Sequence, residues 1–404
     1  MPRITPFRGL VPVGAPSQIE QSSEHTPEGP RPGAGNWVVD SGPAFYACRV
    51  DYRSEAGLEK TRTALVARVD PFATERKDVL PAVEAAPGGV EAALKELKRH
   101  GCKKVPVVAF YEDPQFEVER ILSRSQAASV AVARSPGVTR RLWRINAARD
   151  ISLLQNFFQV RECVLVDGIE YFRACRRLRE SLRRTHPETE DEQFWPLLYL
   201  VNLYDFGVTL GSYQYLVPAE NSFDLNKFVF EANSFFEVQT FPWRDAETRR
   251  KARTKLEEEL RSRSIGRVAV GAAFRGEPQF FLFILKENVD RSLLLPPEIS
   301  PRLYNTAVVF LRTLFVEKWY WRGGDPEERW PLVTAVHTIA EALHRLEEQN
   351  YGACFFHAPP LKREVFNLAL RNVRLPAYSI RLTPPAAPPL ADKLPVELSA
   401  SKQS

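Results

Sequence analysis

The stretch VLVDGIEYFRACRRLRES (residues 164–181) runs from an apolar strand through an Asp-Gly turn into a helix. The strand is read from Val164, Leu165 and Val166, and the turn from Asp167 and Gly168. The helix is read from Tyr171, Ala174, Cys175, Leu178 and Leu182, which recur at helical spacing. The same alternation continues on both sides. RLWRI reads as a strand, residues 150–160 as a helix, ECVLVD as a strand, residues 171–184 as a helix and WPLLYLVNLYD as a strand. Alternation at this pace favours βα units, so the chain is expected to be α/β, with mixed α+β as the variant.

Further out, PAFYACRVDY (residues 43–52) and TRTALVARVD (61–70) flank a Ser-Glu-Ala-Gly turn and predict a hairpin. VEAALKELKRHG (90–101) has helical spacing and a glycine stop, VPVVAFYED is a buried strand, and a helix opens at Pro114. Residues 223–236 and 246–263 read as helices, and GRVAVGAAFRGEPQFFLFILK as a hairpin turning at residues 275–277. Beyond PPEISPRL come a helix at 303–318, a strand at 332–337, a helix at 339–349, a strand at 353–357 and a helix at 362–371. The expected organisation is a mostly irregular segment at 1–36, a large mixed-sheet region at 37–295 and a smaller α/β lobe at 296–382. A disordered Pro/Ala-rich tail is expected at 383–404, since PPAAPPLADKLP offers little apolar surface to offset ordering entropy.

The 404 residues are 44% hydrophobic, enough to bury a large core. With 55 basic and 50 acidic residues the formal charge is +5, too mild an excess to imply a nucleic-acid binder by itself. The five cysteines form no Cys-x-x-Cys pair, which suits a reducing compartment. The N-terminal stretch has no apolar run of signal-peptide type, and no segment approaches the ~18–20 apolar residues that span a bilayer. A cytoplasmic protein without membrane association is expected.

At the Asp-Gly turn two readings compete. Backbone N–H groups at a helix start can hold phosphate, which would make Asp167, Gly168, Glu170 and Arg173 ligand-binding candidates. The other reading is a plain cap: Asp167 as N-cap acceptor, Gly168 for the turn, and Glu170 near the positive end of the helix dipole. Ile169 offers phosphate no side-chain donor, Tyr171 has no guanidinium fork, and a carboxylate at Glu170 repels phosphate; the cap is the preferred reading. Arg173, Arg176, Arg177, Arg183 and Arg184 lie off the apolar stripe. They form either a surface for an acidic partner or the solvated face of an amphipathic helix, and without interleaved aromatics the solvated face is preferred. The cluster Trp319, Tyr320 and Trp321 can close a core or present a partner-contact surface. The six histidines show no metal-ligand spacing, and no Walker loop, Gly-x-Ser-x-Gly elbow or dinucleotide fingerprint occurs. No catalytic residue, metal or cofactor is assigned.

The order ITPFRGLVP, GPAFYACRV, TRTALVARVD, TRRLWRINAARDISLLQ, VLVDGIEYFRACRRLRE, WPLLYLVNLYDFGVTLGSYQYLV and YGACFFHAPPLKREVFNLALRNVRLPAYSI resembles the uncharacterised prokaryotic family called domain of unknown function number one thousand and fifteen. The resemblance runs from Ile4 to Ile380. The family pattern has Asp-Gly-His-His-Arg-Tyr at the strand end, where this chain has Asp167, Gly168, Ile169, Glu170, Tyr171 and Phe172. Ala82 and Val83 stand at a His-Glu position, a Pro-Pro-Tyr-Asp segment is missing, and LPAYSIRL replaces a Met-Pro-Pro-Lys-Ser-Thr type segment.

The resemblance implies a divergent member with the motif degenerate: a non-catalytic binding or regulatory protein with a small-molecule or protein partner. The alternative is an enzyme acting on a nucleotide or phosphorylated small molecule, after the ParB-like and sulfiredoxin-like turn that the unit is similar to. Asp167 and Glu170 would then be its acidic groups, and Arg62 or Arg8 its anion contacts. Nucleic-acid binding through the basic helix face is a third, less favoured reading.

Overall fold

Three apolar runs, VVAFY, CVLV and LLYLVN, are buried along their whole length, as strands covered on both faces are. They form the centre of the first of two compact units. In the computed structural model, which describes residues 3–12, 37–54, 57–74, 78–103, 107–124, 129–183, 191–323 and 325–393, that unit draws on residues 1–209, 362–372 and 382–404. The second draws on residues 210–361 and 373–381.

The first unit opens with β1 (Ile4–Thr5), β2 (Leu10–Pro12), β3 (Trp37–Val39), β4 (Phe45–Arg53), β5 (Glu59–Val69) and β6 (Val79–Pro81). Helix α1 (Gly89–His100), β7 (Cys102–Lys103), β8 (Val107–Tyr111), α2 (Glu117–Arg124), β9 (Ala131–Ser135) and β10 (Val138–Ile145) follow. Next come α3 (Ala148–Phe158), β11 (Cys163–Asp167), α4 (Ile169–Leu182) and β12 (Leu197–Asn202). The main sheet has the order β6-β11-β8-β12-β5-β4-β10-β9, with β1 also paired to β5. β4 and β5 make the expected antiparallel hairpin, with Tyr46 opposite Val66 and Arg53 opposite Glu59. β8 runs parallel to β12 and antiparallel to β11, so the sheet is mixed. Helices α1 and α4 share a core of Val90, Leu97, Ala174, Cys175 and Leu178.

After β13 (Thr209–Gly211), the second unit contains β14 (Gln214–Pro218), α5 (Leu225–Phe235), β15 (Phe236–Pro242), α6 (Ala246–Arg263), β16 (Ala269–Phe274) and β17 (Gln279–Leu285). Then come α7 (Ala307–Phe310), a π-helical run at Leu311–Tyr320, α8 (Pro326–Arg329), β18 (Thr334–Val336), α9 (Ile339–Glu348) and β19 (Tyr351–Phe356). Its sheet has the order β15-β17-β16-β19-β14-β18. Successive side chains of a strand face opposite ways, and β17 shows the consequence. Phe280, Leu282 and Ile284 pack with Leu256, Leu260, Leu343 and Leu346 of α6 and α9, while Phe283 meets Phe228 and Phe315. The last elements are α10 (Lys362–Leu370), β20 (Arg381–Thr383) and β21 (Asp392–Lys393).

Two expectations need correction. β18 and β19 lie in one sheet with β14–β17, because hydrogen bonding to β14 completes that sheet, and α10 belongs to the first unit. No lobe therefore begins at 296. Residues 383–393 of the expected disordered tail are ordered: Ala386, Leu390, Ala391 and Asp392 are all buried. Within the mostly irregular opening segment the short strands β1 and β2 form, and residues 13–36 and 394–404 lie outside the described residues. Among the described residues no helix is long and apolar enough to cross a membrane.

Candidate functional site

The Asp-Gly turn is shaped by Gly168. It sits at φ 75°, ψ 24° as the residue before α4, and its carbonyl accepts the first helical bond from Phe172 N at 3.0 Å. This left-handed geometry suits glycine; an added Cβ would also lie 3.3 Å from the Val107 Cα. Asp167 is therefore not the N-cap. It belongs to β11, opposite Val108 beyond a bulge, and the cap residue Gly168 has no side chain to accept a bond. Ile169 and Phe172 are buried at 2% and 1% exposure, so the first helical turn contributes apolar packing.

Glu170 has a specific partner. Its Oε1 accepts the Ala86 N–H at 2.8 Å, and a Cβ on Gly89 would approach the Glu170 Cγ to 2.6 Å. The carboxylate thus holds the Ala86–Gly89 turn, where α1 begins, against the start of α4. The basic run is similarly engaged. Arg177 pairs with Glu91, Arg176 with Glu180 at 2.9 Å, and the Arg176 and Arg179 guanidinium groups stand 5.0 and 5.1 Å from the Phe72 ring centre. Arg173 is half-buried, Arg183 is exposed, and Arg184 lies outside the described residues.

Arg62 and Arg8 do not converge on this turn. Between β11 and β5 stand β8 and β12, so Arg62 is three strand spacings away, about 14 Å across the sheet. It is fully buried, donates to the carbonyls of Thr383 and Pro384 at 3.1 and 2.8 Å, and lies 5.9 and 5.6 Å from the Tyr52 and Tyr199 rings. Arg8 is exposed between β1 and β2. Trp319, Tyr320 and Trp321 are core residues, with exposures of 3%, 1% and 7%. Trp319 packs on Phe228, Phe236 and Phe315, Tyr320 donates to the Pro218 carbonyl at 2.9 Å, and Trp321 meets the edge of Trp330. Burial of all three rings removes the contact-surface reading.

The strand order, the hairpin and the β11–α4 turn coincide with a match over residues 34–308 to the family described as "Protein of unknown function (DUF1015)". The chain belongs to the DUF1015 family. No curated protein matches it. Among solved structures it is similar to a conserved hypothetical protein from Pyrococcus furiosus, with 14% identity, 80% of this chain and 92% of that chain covered, and a TM-score of 0.39. It is also similar to a free serine kinase in complex with AMP, with 12% identity, 78% and 88% coverage and a TM-score of 0.37. A third is SbnI with C-terminal truncation from Staphylococcus aureus, with 5% identity, 76% and 79% coverage and a TM-score of 0.34. At these values no activity passes from them to this DUF1015 member.

A polar cluster at the opposite end of β8 and β12 escaped the sequence reading. Asp113 and Asn202 are fully buried. The Asn202 amide donates to the Asp113 carbonyl at 2.8 Å and its oxygen accepts the Asp113 N–H at 3.2 Å, while the Asp113 carboxylate accepts from Val118 N at 2.9 Å at the start of α2. Burial, together with the nearby Asp113 and Asp205 charges, pushes the Glu119 carboxyl up to about 7 against the bonds that favour its ionised form. Asp205 accepts from Thr63 N and Gly207 N, and its carbonyl accepts from Lys362 Nζ at 2.6 Å. The available signal was an apolar strand ending in acids at FYED and again at VNLYD. Among the described residues no group of three or more His, Cys, Asp or Glu is arranged to hold a metal.

Proposed function

We propose that this DUF1015 member is a non-catalytic binding or regulatory protein of the cytoplasm that recognises a small molecule or a protein partner. The observation that carries this reading is the content of the motif turn. Where the family pattern has His-His-Arg, Ile169 is buried and the Glu170 carboxylate is committed to the Ala86 N–H. Phosphoryl chemistry needs a cation or guanidinium to neutralise developing charge, and Arg62 and Arg8 stand elsewhere in the unit. Among the described residues the free cysteines Cys48, Cys163, Cys175 and Cys354 are buried, which fits a reducing compartment. The basic face of α4, which would carry the nucleic-acid reading, is drawn into contacts with Glu91, Glu180 and Phe72.

Isothermal titration with ATP, GTP and CTP in the presence of magnesium tests the proposal. No saturable heat is expected at physiological nucleotide concentrations. Saturable binding of any of the three accompanied by turnover of the nucleotide overturns the non-catalytic reading in favour of an enzyme acting on nucleotides.

A further inference from the structure

Arg62 in β5 and Arg140 in β10 both stand opposite Val50 of the intervening strand β4. Directly opposed residues share a sheet face, so the two arginines rise from one rung on the same face, about 10 Å apart at their backbones. They are 0% and 4% exposed.

Among the described residues neither has a carboxylate partner. Arg62 donates to the carbonyls of Thr383 and Pro384, and Arg140 to the Pro385 carbonyl at 3.4 Å and the Ser135 hydroxyl at 3.2 Å. The Nε of each guanidinium is buried without a hydrogen-bond partner. Desolvation draws the Arg140 guanidinium below its ordinary range; Cys48 and Tyr199 oppose this, and the nearby Arg62 charge adds to it. A carbonyl dipole balances a buried cation only in part, and uncompensated buried charge is costly.

The same segment also shows buried cations held by a carboxylate. Some seven residues on, the Asp392 carboxylate takes both Arg68, at 2.7 and 2.8 Å, and Lys103 at 2.5 Å. Asp392 therefore anchors the far end of the segment separately from Arg62 and Arg140, whose forked donors match the geometry of an oxyanion better than a row of carbonyls.

We propose that Arg62 and Arg140 form a binding site for a small oxyanion, a phosphate or carboxylate compound, which the Thr383–Pro385 carbonyls occupy in the closed protein. The ligand displaces these carbonyls while Asp392 keeps the segment tethered. The site is separate from the Asp-Gly turn and does not depend on the reading of that turn.

The experiment uses the full chain with inorganic pyrophosphate and citrate as probes. Equilibrium binding is measured for the parent, Arg62→Gln and Arg140→Gln. Leu390→Ala is added to loosen the segment without changing any charge. Alkylation of Cys48 is followed by mass spectrometry, because this buried thiol lies on the same face and senses both Arg140 and Arg62.

Saturable anion binding is expected in the parent, at least tenfold weaker in either arginine variant and at least tenfold tighter in Leu390→Ala. In Leu390→Ala, Cys48 should react faster and the bound anion should slow it. Binding of pyrophosphate alone identifies a phosphate ligand, and binding of citrate alone or of both extends the site to carboxylates. Absence of binding by both probes overturns the proposal, as does equal affinity in the parent and both arginine variants. Arginine variants that are less stable but bind equally well would mean that the pair serves only the fold. Should Leu390→Ala not fold, the parent and the two arginine variants decide the matter alone.

Discussion

The Asp167–Phe172 turn and the Leu382–Lys393 segment exchange the roles that their sequences suggest. The first has the strand-Asp-Gly-helix outline of a ligand site, yet it packs Ile169 and Phe172 inward and uses its acid to hold a neighbouring turn. The second has the composition of a disordered tail, yet it receives Arg62, Arg140, Arg68 and Lys103. Local outline reports local geometry, while partners come from across the chain. The two regions also differ in what a substitution should cost, which gives a series of tests.

The largest effect is expected at Asp392. It is 1% exposed and lies between Arg68 and the fully buried Lys103, whose remaining partners are the carbonyls of Gln193 and Trp195. Burial draws the Lys103 ammonium below the ordinary lysine range, and Asp392 opposes that. Removing one member of such a group strands the other charge, at ~3–5 kcal/mol. Asp392→Ala should lower the denaturant midpoint accordingly, and a parent-like midpoint would break the contrast between segment and turn.

How much of this was legible follows from the range of each signal. Helix α6 matches its expected span because Asp245 and Thr248 cap it reciprocally within four residues, and β16 and β17 meet through the turn read at Arg275–Glu277. The Asp-Gly turn marked where α4 begins, although the helix opens at Ile169 and not at the expected residue 171. The identity of the cap was not legible, since Asp and Gly both favour that position and only backbone torsion separates them. The Arg68–Asp392 pair is separated by 324 residues, and no periodicity or spacing rule reaches that far. The Trp319–Trp321 cluster was ambiguous for another reason: buried and exposed aromatic groups look alike until the strands beneath them are known. The Glu119 environment has the same long-range origin, assembled from the ends of β8 and β12 and from Asp205.

Glu119 provides the next test. With its carboxyl raised from the ordinary 4.5 to about 7, the folded protein holds a proton that the unfolded chain releases. Its contribution therefore favours folding at low pH and is lost as pH rises between those two values. A shift of this size corresponds to at most ~3 kcal/mol, less after solvent screening. Glu119→Gln should flatten stability across pH 5–8 and raise it at the alkaline end. An unchanged pH profile would show that this end of the sheet leaves the carboxyl unperturbed.

At the turn itself the effects should be smaller. Gly168→Ala forces an L-residue into φ 75° with its Cβ 3.3 Å from the Val107 Cα, which should cost ~1–2 kcal/mol. An alanine variant as stable as the parent would mean that the turn can relax to another geometry.

The smallest expected effect sharpens the comparison most. Glu170 bonds the Ala86 N–H through a single carboxylate oxygen at 2.8 Å, and glutamine keeps an amide oxygen in the same place. Glu170→Gln should therefore lose only the charged part of that bond and its attraction to the helix start, ~0.5–1 kcal/mol. Glu170→Ala leaves the Ala86 N–H without its acceptor and should cost ~1–3 kcal/mol. Unfolding measurements on the two variants separate a structural acid from a functional one. A structural Glu170 gives the order parent, glutamine, alanine in falling stability. An acid retained for ligand binding is often held at the expense of stability, so its removal would leave the protein unchanged or more stable. Reversal of that order would return Glu170 to the role that its position after Asp-Gly suggests and would restore a ligand function to the turn.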